Sequence, residues 1–288
     1  MNFLGISRSP IYSPHSEERD AQIFNQVSAA LQARGHQVVG LSEDEFETAQ
    51  AEQKILAGSE DWLIFTMGRH PQVLQKLESL QKQGYKVVNS AAGILRLSRR
   101  SIYSACRSLG VNVPRQYSDL ECERLGDLSY PCWLKRDDAC AQQSDDVCFV
   151  SNREELQIRL QAFAQRGVAH YVVSEHKAGD LIKFYGVAGT SFFYSYSPKN
   201  ANGFSKFGLE VHNDNYRGFA FDVPAWQQQM NSLALQLQVP VYGGDAIVDE
   251  HGQCFLIDFN DWPSFSCCRD KAVVAIADCM EQMAENTK

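Results

Sequence analysis

Val241-Tyr-Gly-Gly-Asp-Ala-Ile-Val-Asp-Glu-His-Gly-Gln-Cys-Phe-Leu-Ile-Asp-Phe-Asn-Asp-Trp-Pro-Ser-Phe-Ser266 is the stretch on which the fold turns. Apolar runs at 246–248 and 254–259 flank the polar tetrapeptide Glu250-His-Gly-Gln253. A polar, glycine-containing gap between two such runs predicts a β-hairpin. With residues 250–253 as the loop, Asp249 pairs with Cys254, and the register places Asp245 opposite Asp258. Asn260 stands two residues beyond Asp258, so the strand period puts both side chains on one face. Asp245, Asp258 and Asn260 are expected to converge, while Val248, Ile257 and Phe259 turn the other way into a core. Two adjacent carboxylates repel and lose hydration on burial, so a positive partner must hold them. A hard divalent cation suits such oxygen ligands; Mg²⁺ commonly takes one or two carboxylates and completes its shell with phosphates and water. The plain alternative is a solvated polar face on an edge hairpin. The apolar flanks, and Pro263 ending the second strand, favour a metal–phosphate site.

The 288 residues can bury a sizeable core and suggest one large or two to three small domains. With 44% apolar and 22% charged residues, the composition is that of an ordinary soluble globular protein. A net charge of −8 argues against nucleic acid or an anionic membrane surface as the main partner. The start Met1-Asn-Phe-Leu-Gly-Ile-Ser-Arg lacks the basic and apolar regions of a signal peptide, and no run reaches the length of a membrane span. Nine cysteines without CxxC spacing fit a reducing cytoplasm and buried free thiols. Cys267-Cys268 is the conspicuous pair, read as packing thiols, with a substrate-facing thiol as the other reading.

Residues 1–92 alternate strands (3–6, 37–40, 62–67, 86–89) with helices, the first ending at Gly35 and the second running from Pro71 to Gly84. This predicts a small parallel α/β sheet, with ligands beyond the carboxyl ends of its strands, at loop 7–16 and at Met67-Gly-Arg69. Arg8 and Arg69 are candidate anchors there for an anionic substrate, each weighed against a solvated surface arginine. Neither GxGxxG nor GxxxxGK[ST] occurs. Residues 93–170 form a second unit: an arginine-rich helix over 94–109, a strand at 132–135 ending in Lys135, and a strand at 147–150. A helix then opens on the capping box Ser151-Asn-Arg-Glu154. A lysine inside an apolar strand needs an anionic partner unless it snorkels to water. Residues 171–288 carry strands at 171–174, 181–187 and 192–196, a segment at 197–203 expected to be mobile, a helix from Pro224, the hairpin and a last helix.

This order of parts resembles the ATP-grasp superfamily over nearly the whole chain. In that family a small α/β domain precedes two α+β subdomains that hold ATP between them. The resemblance implies three domains, 1–92, 93–170 and 171–288. Arg99, ahead of Gly110-Val-Asn-Val-Pro114, stands where the family has a basic residue opening a helix before G-x-x-x-P. Lys135 matches the strand lysine on the α/β-phosphates, and Ser174, Glu175, His176 and Lys177 match the hinge whose backbone reads adenine. Asp180 is placed to meet the ribose, and Lys183 matches the basic residue facing phosphate. The D…[DE]-x-N-x-x-P metal pattern matches Asp245, Asp258, Asn260 and Pro263. One departure is the phosphate-covering loop: residues 137–145 contain no glycine, which makes backbone contacts with phosphate harder.

What the resemblance implies is a cytoplasmic ligase dependent on ATP and Mg²⁺ (or Mn²⁺), joining small-molecule carboxylate and amine (or thiol) substrates, or a peptide terminus, through an acyl phosphate. Lys183 and Arg217 are its expected catalytic residues, Arg217 being weighed against a surface ion pair with Asp214. The sequence does not encode the oligomeric state in a readable way, dimers being a common outcome for such enzymes. Two other readings stay open: a kinase of a small alcohol or inositol phosphate, and a nucleotide-binding protein without catalysis. Few basic residues near the hairpin speak against the first, and the intact metal pattern against the second. Specificity is expected in the N-terminal loops and around residues 262–268.

Overall fold

The computed structural model describes residues 1–48, 62–137, 143–198, 209–213 and 215–285. Strands β1 (Asn2–Ser7), β2 (Gln37–Ser42), β3 (Trp62–Thr66) and β4 (Lys86–Val88) form a sheet of order β2-β1-β3-β4. All its pairs are parallel. Every residue of β3 is buried, as a parallel strand covered on both faces requires. Helices α1 (Glu17–Ala33), α2 (Glu43–Glu47) and α3 (Pro71–Lys82) accompany it. The expected strands appear to within one or two residues. The helix expected over 94–109 is instead two, α4 (Ala91–Leu95) and α5 (Arg99–Leu109). Ser98 explains the break: its hydroxyl accepts the Ser101 amide and starts a new helix, so Arg99 becomes the first helical residue.

The second sheet has the order β5-β8-β6-β7, with β5 (Gln116–Ser118), β6 (Cys132–Arg136), β7 (Val147–Val150) and β8 (Tyr171–Glu175) antiparallel. Helix α6 (Arg153–Gln165) is capped by Asn152, whose side chain accepts the Glu155 amide at 2.9 Å, one residue later than the expected cap. The third sheet has the order β10-β9-β11-β12: β9 (Asp180–Val187), β10 (Phe193–Tyr196), β11 (Val241–Val248) and β12 (Cys254–Asp261). Helices α7 (Val223–Gln236) and α8 (Arg269–Glu285) pack with it. Of the segment expected to be mobile, residues 199–203 lie outside the described ones.

Packing couples the first and third sheets. Leu4, Ile64 and Leu77 share a core with Met230, Tyr242 and Phe259, and Phe3, Val27 and Phe65 share another with Trp262 and Ile276. Buried Asn89 ties the two sheets by donating to the Val241 carbonyl (2.8 Å) and accepting its amide (2.9 Å). The middle sheet has its own core around Tyr117, Leu134, Phe163 and Val173. β8 pairs with both β5 and β6, so Tyr171–Glu175, expected in the last domain, is hydrogen-bonded into the middle sheet. Helix α5, expected in the second domain, buries Ile102, Ala105 and Cys106 in the core that holds Met230 and Leu233 of α7. Among the described residues no helix is long and apolar enough to cross a membrane.

Candidate nucleotide and metal site

The hairpin reaches its expected pairing by a different route. Asp249 leaves the ladder: its carboxylate accepts the His251 and Gln253 amides at 3.0 Å each, closing the turn. Val248, not Asp249, therefore pairs with Cys254, one residue out of the expected register. A bulge between Asp245 and Ala246 leaves Ile257 as the extra residue and restores Asp245 opposite Asp258 and Gly243 opposite Asn260. The bulge has two consequences. Ile257, expected in the core, lines the cavity while Leu256 is buried, and the Ile257 carbonyl accepts the Lys135 ammonium at 2.9 Å. Gly244 permits the tight pairing, because a Cβ there would lie 2.3 Å from the Asp258 carbonyl oxygen.

Across the sheet, register aligns Asp258, Asp245, Lys183 and Tyr196 in one row. Lys183 Nζ lies 3.3 Å from both Asp245 oxygens, and Arg99 Nη1 lies 2.8 Å from Asp258 Oδ1. Asn260 Nδ2 donates to Asp258 Oδ2 at 3.4 Å. Burial pushes the Asp258 carboxyl up, but Arg99, Lys135 and the hydrogen bonds from Arg99 and Asn260 together hold it below the usual carboxylate range. Burial, then Arg99, push the Lys135 ammonium down to about 8 against the opposing pull of Asp258 and Asp245. Asp137 fixes Arg99: its buried carboxylate accepts the Arg99 and Arg100 amides (2.5 and 3.3 Å) and Arg100 Nε (2.6 Å). An anion at the start of α5 also suits the helix dipole.

A cavity of about 760 Å³ brings most of the expected residues together. Arg99, Lys135, Ser174, Glu175, His176, Lys177, Lys183, Asp245, Asp258 and Asn260 all line it. The segment 174–177 is braced by its neighbours. The Glu175 amide donates to the Arg115 carbonyl (2.9 Å), the His176 amide to the Pro131 carbonyl (3.1 Å), and Trp133 Nε1 to His176 Nδ1 (3.1 Å). Lys177 lies over the Phe255 ring, 3.8 Å from its centroid. Among the described residues no three His, Cys, Asp or Glu side chains form a metal cluster. The donor set is two carboxylates at facing register positions and one amide oxygen on the same face, which fits a hard cation that takes further ligands from phosphate.

Four expectations are corrected. Asp180 does not line the cavity: it is 1% exposed, and its two oxygens accept the Arg217 and Phe219 amides at 2.7 Å each. Arg217 is exposed, lies outside the cavity wall and sits over the Phe219 ring, 5.9 Å from its centroid; its expected partner Asp214 lies outside the described residues. Arg8 is internal, bound to the Met67 and Trp262 carbonyls and to Asp20, because β1 and β3 are parallel neighbours and Arg8 follows one as Met67 follows the other. Trp262 is fully buried, stacked on Phe65, and Cys268 is buried too, so within 262–268 the exposed thiol is Cys267. Arg69, by contrast, does line the cavity and pairs with buried Asp261. Residues 138–142 of the glycine-free loop lie outside the described ones.

Some site residues escaped the sequence reading. Glu43, 2% exposed, accepts the Ser9, Arg69 and His70 amides at 2.5–2.6 Å and thereby fixes both loops at the carboxyl edge of the first sheet. Nothing in the one-dimensional pattern marks it. Tyr196 could have been found from the alternation Phe193-Tyr-Ser-Tyr196, which puts it on the face of Lys183. Its hydroxyl bonds to Tyr185 and Cys267.

No protein-family model matches the sequence, and no curated protein does either. Solved structures do match, over almost the full length of both chains. A D-alanine–D-alanine ligase from Bacillus anthracis, solved complexed with ATP, is 14% identical with a TM-score of 0.66, covering 100% of this chain and 99% of its own. A RimK domain ATP-grasp protein from Sphaerobacter thermophilus is 15% identical (TM-score 0.66, 97% and 99% covered). The VanG D-Ala:D-Ser ligase from Enterococcus faecalis is 14% identical (TM-score 0.65, 98% and 99% covered). The chain has the ATP-grasp fold: a parallel α/β sheet followed by two antiparallel sheets.

Proposed function

We propose that the protein is an ATP-dependent ligase that joins a carboxylate to an amine through an acyl phosphate. The observation that carries this reading is the row Asp258–Asp245–Lys183, with Arg99 and Lys135 beside it, on the floor of one cavity. The adenine lies against residues 174–177, and Lys135, Lys183 and Arg99 hold the triphosphate. Asp245, Asp258 and Asn260 would hold a divalent cation, which would neutralise phosphate charge there. An oxygen of the substrate carboxylate attacks the γ-phosphorus, the bond to the β-phosphate oxygen breaks, and ADP leaves. The amine then attacks the acyl carbon and displaces inorganic phosphate, its proton passing to solvent. No protein nucleophile is needed; positioning and charge compensation carry both steps.

The arginine that steadies the transferring group is Arg69 rather than Arg217, since Arg69 lines the cavity next to the strand end that carries Asn260 and Asp261. A homodimer, a thiol acceptor and a cytoplasmic setting remain compatible with this reading. Against the kinase reading stands the N-terminal wall of the cavity, where Arg69 is the basic residue among the described ones and is already paired. The test is ATP turnover with Mg²⁺ against panels of amino acids, short peptides and polyols, following ADP and product mass. ADP with a condensed product, abolished by Asp258→Ala, is the expected result. A phosphorylated product stable to hydroxylamine would instead establish a kinase.

A further inference from the structure

The two carboxylates suited to a cation are already held by protein donors at every oxygen. Asp258 Oδ1 accepts Arg99 Nη1 at 2.8 Å, and its Oδ2 accepts the Asn260 amide at 3.4 Å. Both oxygens of Asp245 accept Lys183 Nζ at 3.3 Å. A third basic group, Lys135, donates at 2.9 Å to the carbonyl of Ile257, the residue before Asp258. The neighbouring Arg69, Arg100 and Arg136 do not alter this balance, since each has its own buried carboxylate, Asp261, Asp137 and Asp146. Three basic side chains thus stand against two acidic ones, and the acids face the cavity with 30% (Asp258) and 29% (Asp245) of their side chains exposed. A divalent cation arriving alone has to displace Arg99 and Lys183 from the oxygens it needs and then lie beside three positive charges. Like charges a few ångströms apart in a partly desolvated site repel strongly. A polyphosphate meets the opposite balance: its oxygens offer the basic side chains new charged partners, which frees the carboxylates for a cation that shares the phosphates.

Resting on the nucleotide-site part of the reading above, we propose that Arg99 and Lys183 are exchangeable counter-ions, which neutralise Asp258 and Asp245 until a polyphosphate binds. The cation site then forms only together with that anion. Removing either basic side chain has opposite effects on the two ligands: the polyphosphate binds more weakly and the lone cation more tightly. A merely structural arginine or lysine would weaken both together.

The test is calorimetry on the whole chain with Mn²⁺ alone, and with tripolyphosphate or ATP in the presence of a chelator. Wild type should bind tripolyphosphate and ATP without metal. Arg99→Met should bind Mn²⁺ alone more tightly than wild type by roughly tenfold or more, the scale of a coupling between two sites, and should lose affinity for tripolyphosphate. Adding Asp258→Asn should cancel the gain for Mn²⁺, which places the ion at that carboxylate. Lys183→Met repeats the experiment at Asp245, with circular dichroism verifying the folding of each variant. Mn²⁺ binding that is unchanged or weaker in both variants would overturn the counter-ion role and leave the ligase reading intact. So would wild-type binding of ATP and tripolyphosphate only when the metal is present. Failure of the wild type to bind either polyphosphate, with or without metal, would overturn the nucleotide reading itself and the counter-ion role with it.

Discussion

Asp258 sits where three demands meet: it pairs with Arg99, lies in the field of Lys135 and accepts from the amide of Asn260. Asp258→Asn should therefore leave two cations under-compensated and cut turnover roughly a hundredfold or more, the scale seen when one preorganised charge contact is lost. Steady-state kinetics checks this, with circular dichroism as the folding control. Lys135 gives a pH signature. Its ammonium is pushed down to about 8, so its charge is present below that pH and lost above it. ATP affinity should be level in mildly acidic to neutral buffer and fall as the pH rises through about 8, with a proton taken up on binding there. Calorimetry in buffers of different ionisation enthalpy reads both. That Asp245, Asp258, Asn260 and Lys135 would face one cavity was legible in the sequence because strand alternation fixes faces and a charge in an apolar strand is costly without a partner, whereas Lys183 was found only through the family resemblance. The places of Asp180 and Arg217 were not legible. Spacing places a residue along the chain, but says nothing of whether its carboxylate turns outward or inward to two backbone amides, as Asp180 does.

At the scale of elements, Asp180 is a tie between the start of β9 and the segment at 217–219. Asp180→Asn should slacken that tie and expose one backbone amide to a poorer partner, costing about 1–3 kcal/mol in urea denaturation. A ribose-binding role would make the same variant lose discrimination between ATP and 2′-deoxy-ATP. The observed bonds lead us to expect that ratio to stay as in the wild type, which competitive binding measures. The strands of all three sheets followed from apolar patterning except β5, whose Gln-Tyr-Ser sequence carries no strand signal. The helix break at Ser98 was hidden because the arginines around it look like a continuous amphipathic face. The hairpin taught a different lesson. A turn one residue longer than expected and a bulge at Ile257 cancel, so the right carboxylates meet by a path that only the hydrogen-bond ladder reveals.

For the molecule as a whole, the division of cores decides which parts act as one body. The first and third sheets share two cores and the Asn89 link, whereas the middle sheet stands on its own core across the cavity. Asn89→Ala would leave the Val241 amide unpaired in the interior, at roughly 1–3 kcal/mol, while the Val241 carbonyl keeps the Trp262 amide. Hydrogen exchange should show that loss in β4 and β11 while β6 and β7 keep their protection. The order of domains could be inferred from the sequence, but the ownership of α5 and β8 could not, since it depends on which core each apolar face finds. The central claim is chemical: a carboxylate oxygen becomes a phosphate oxygen. With a carboxylate substrate found by the turnover panel and prepared with ¹⁸O in its carboxylate, mass spectrometry of the released phosphate should find one ¹⁸O. Unlabelled phosphate, or a phosphoryl group retained on a hydroxyl of the product, would contradict ligation through an acyl phosphate.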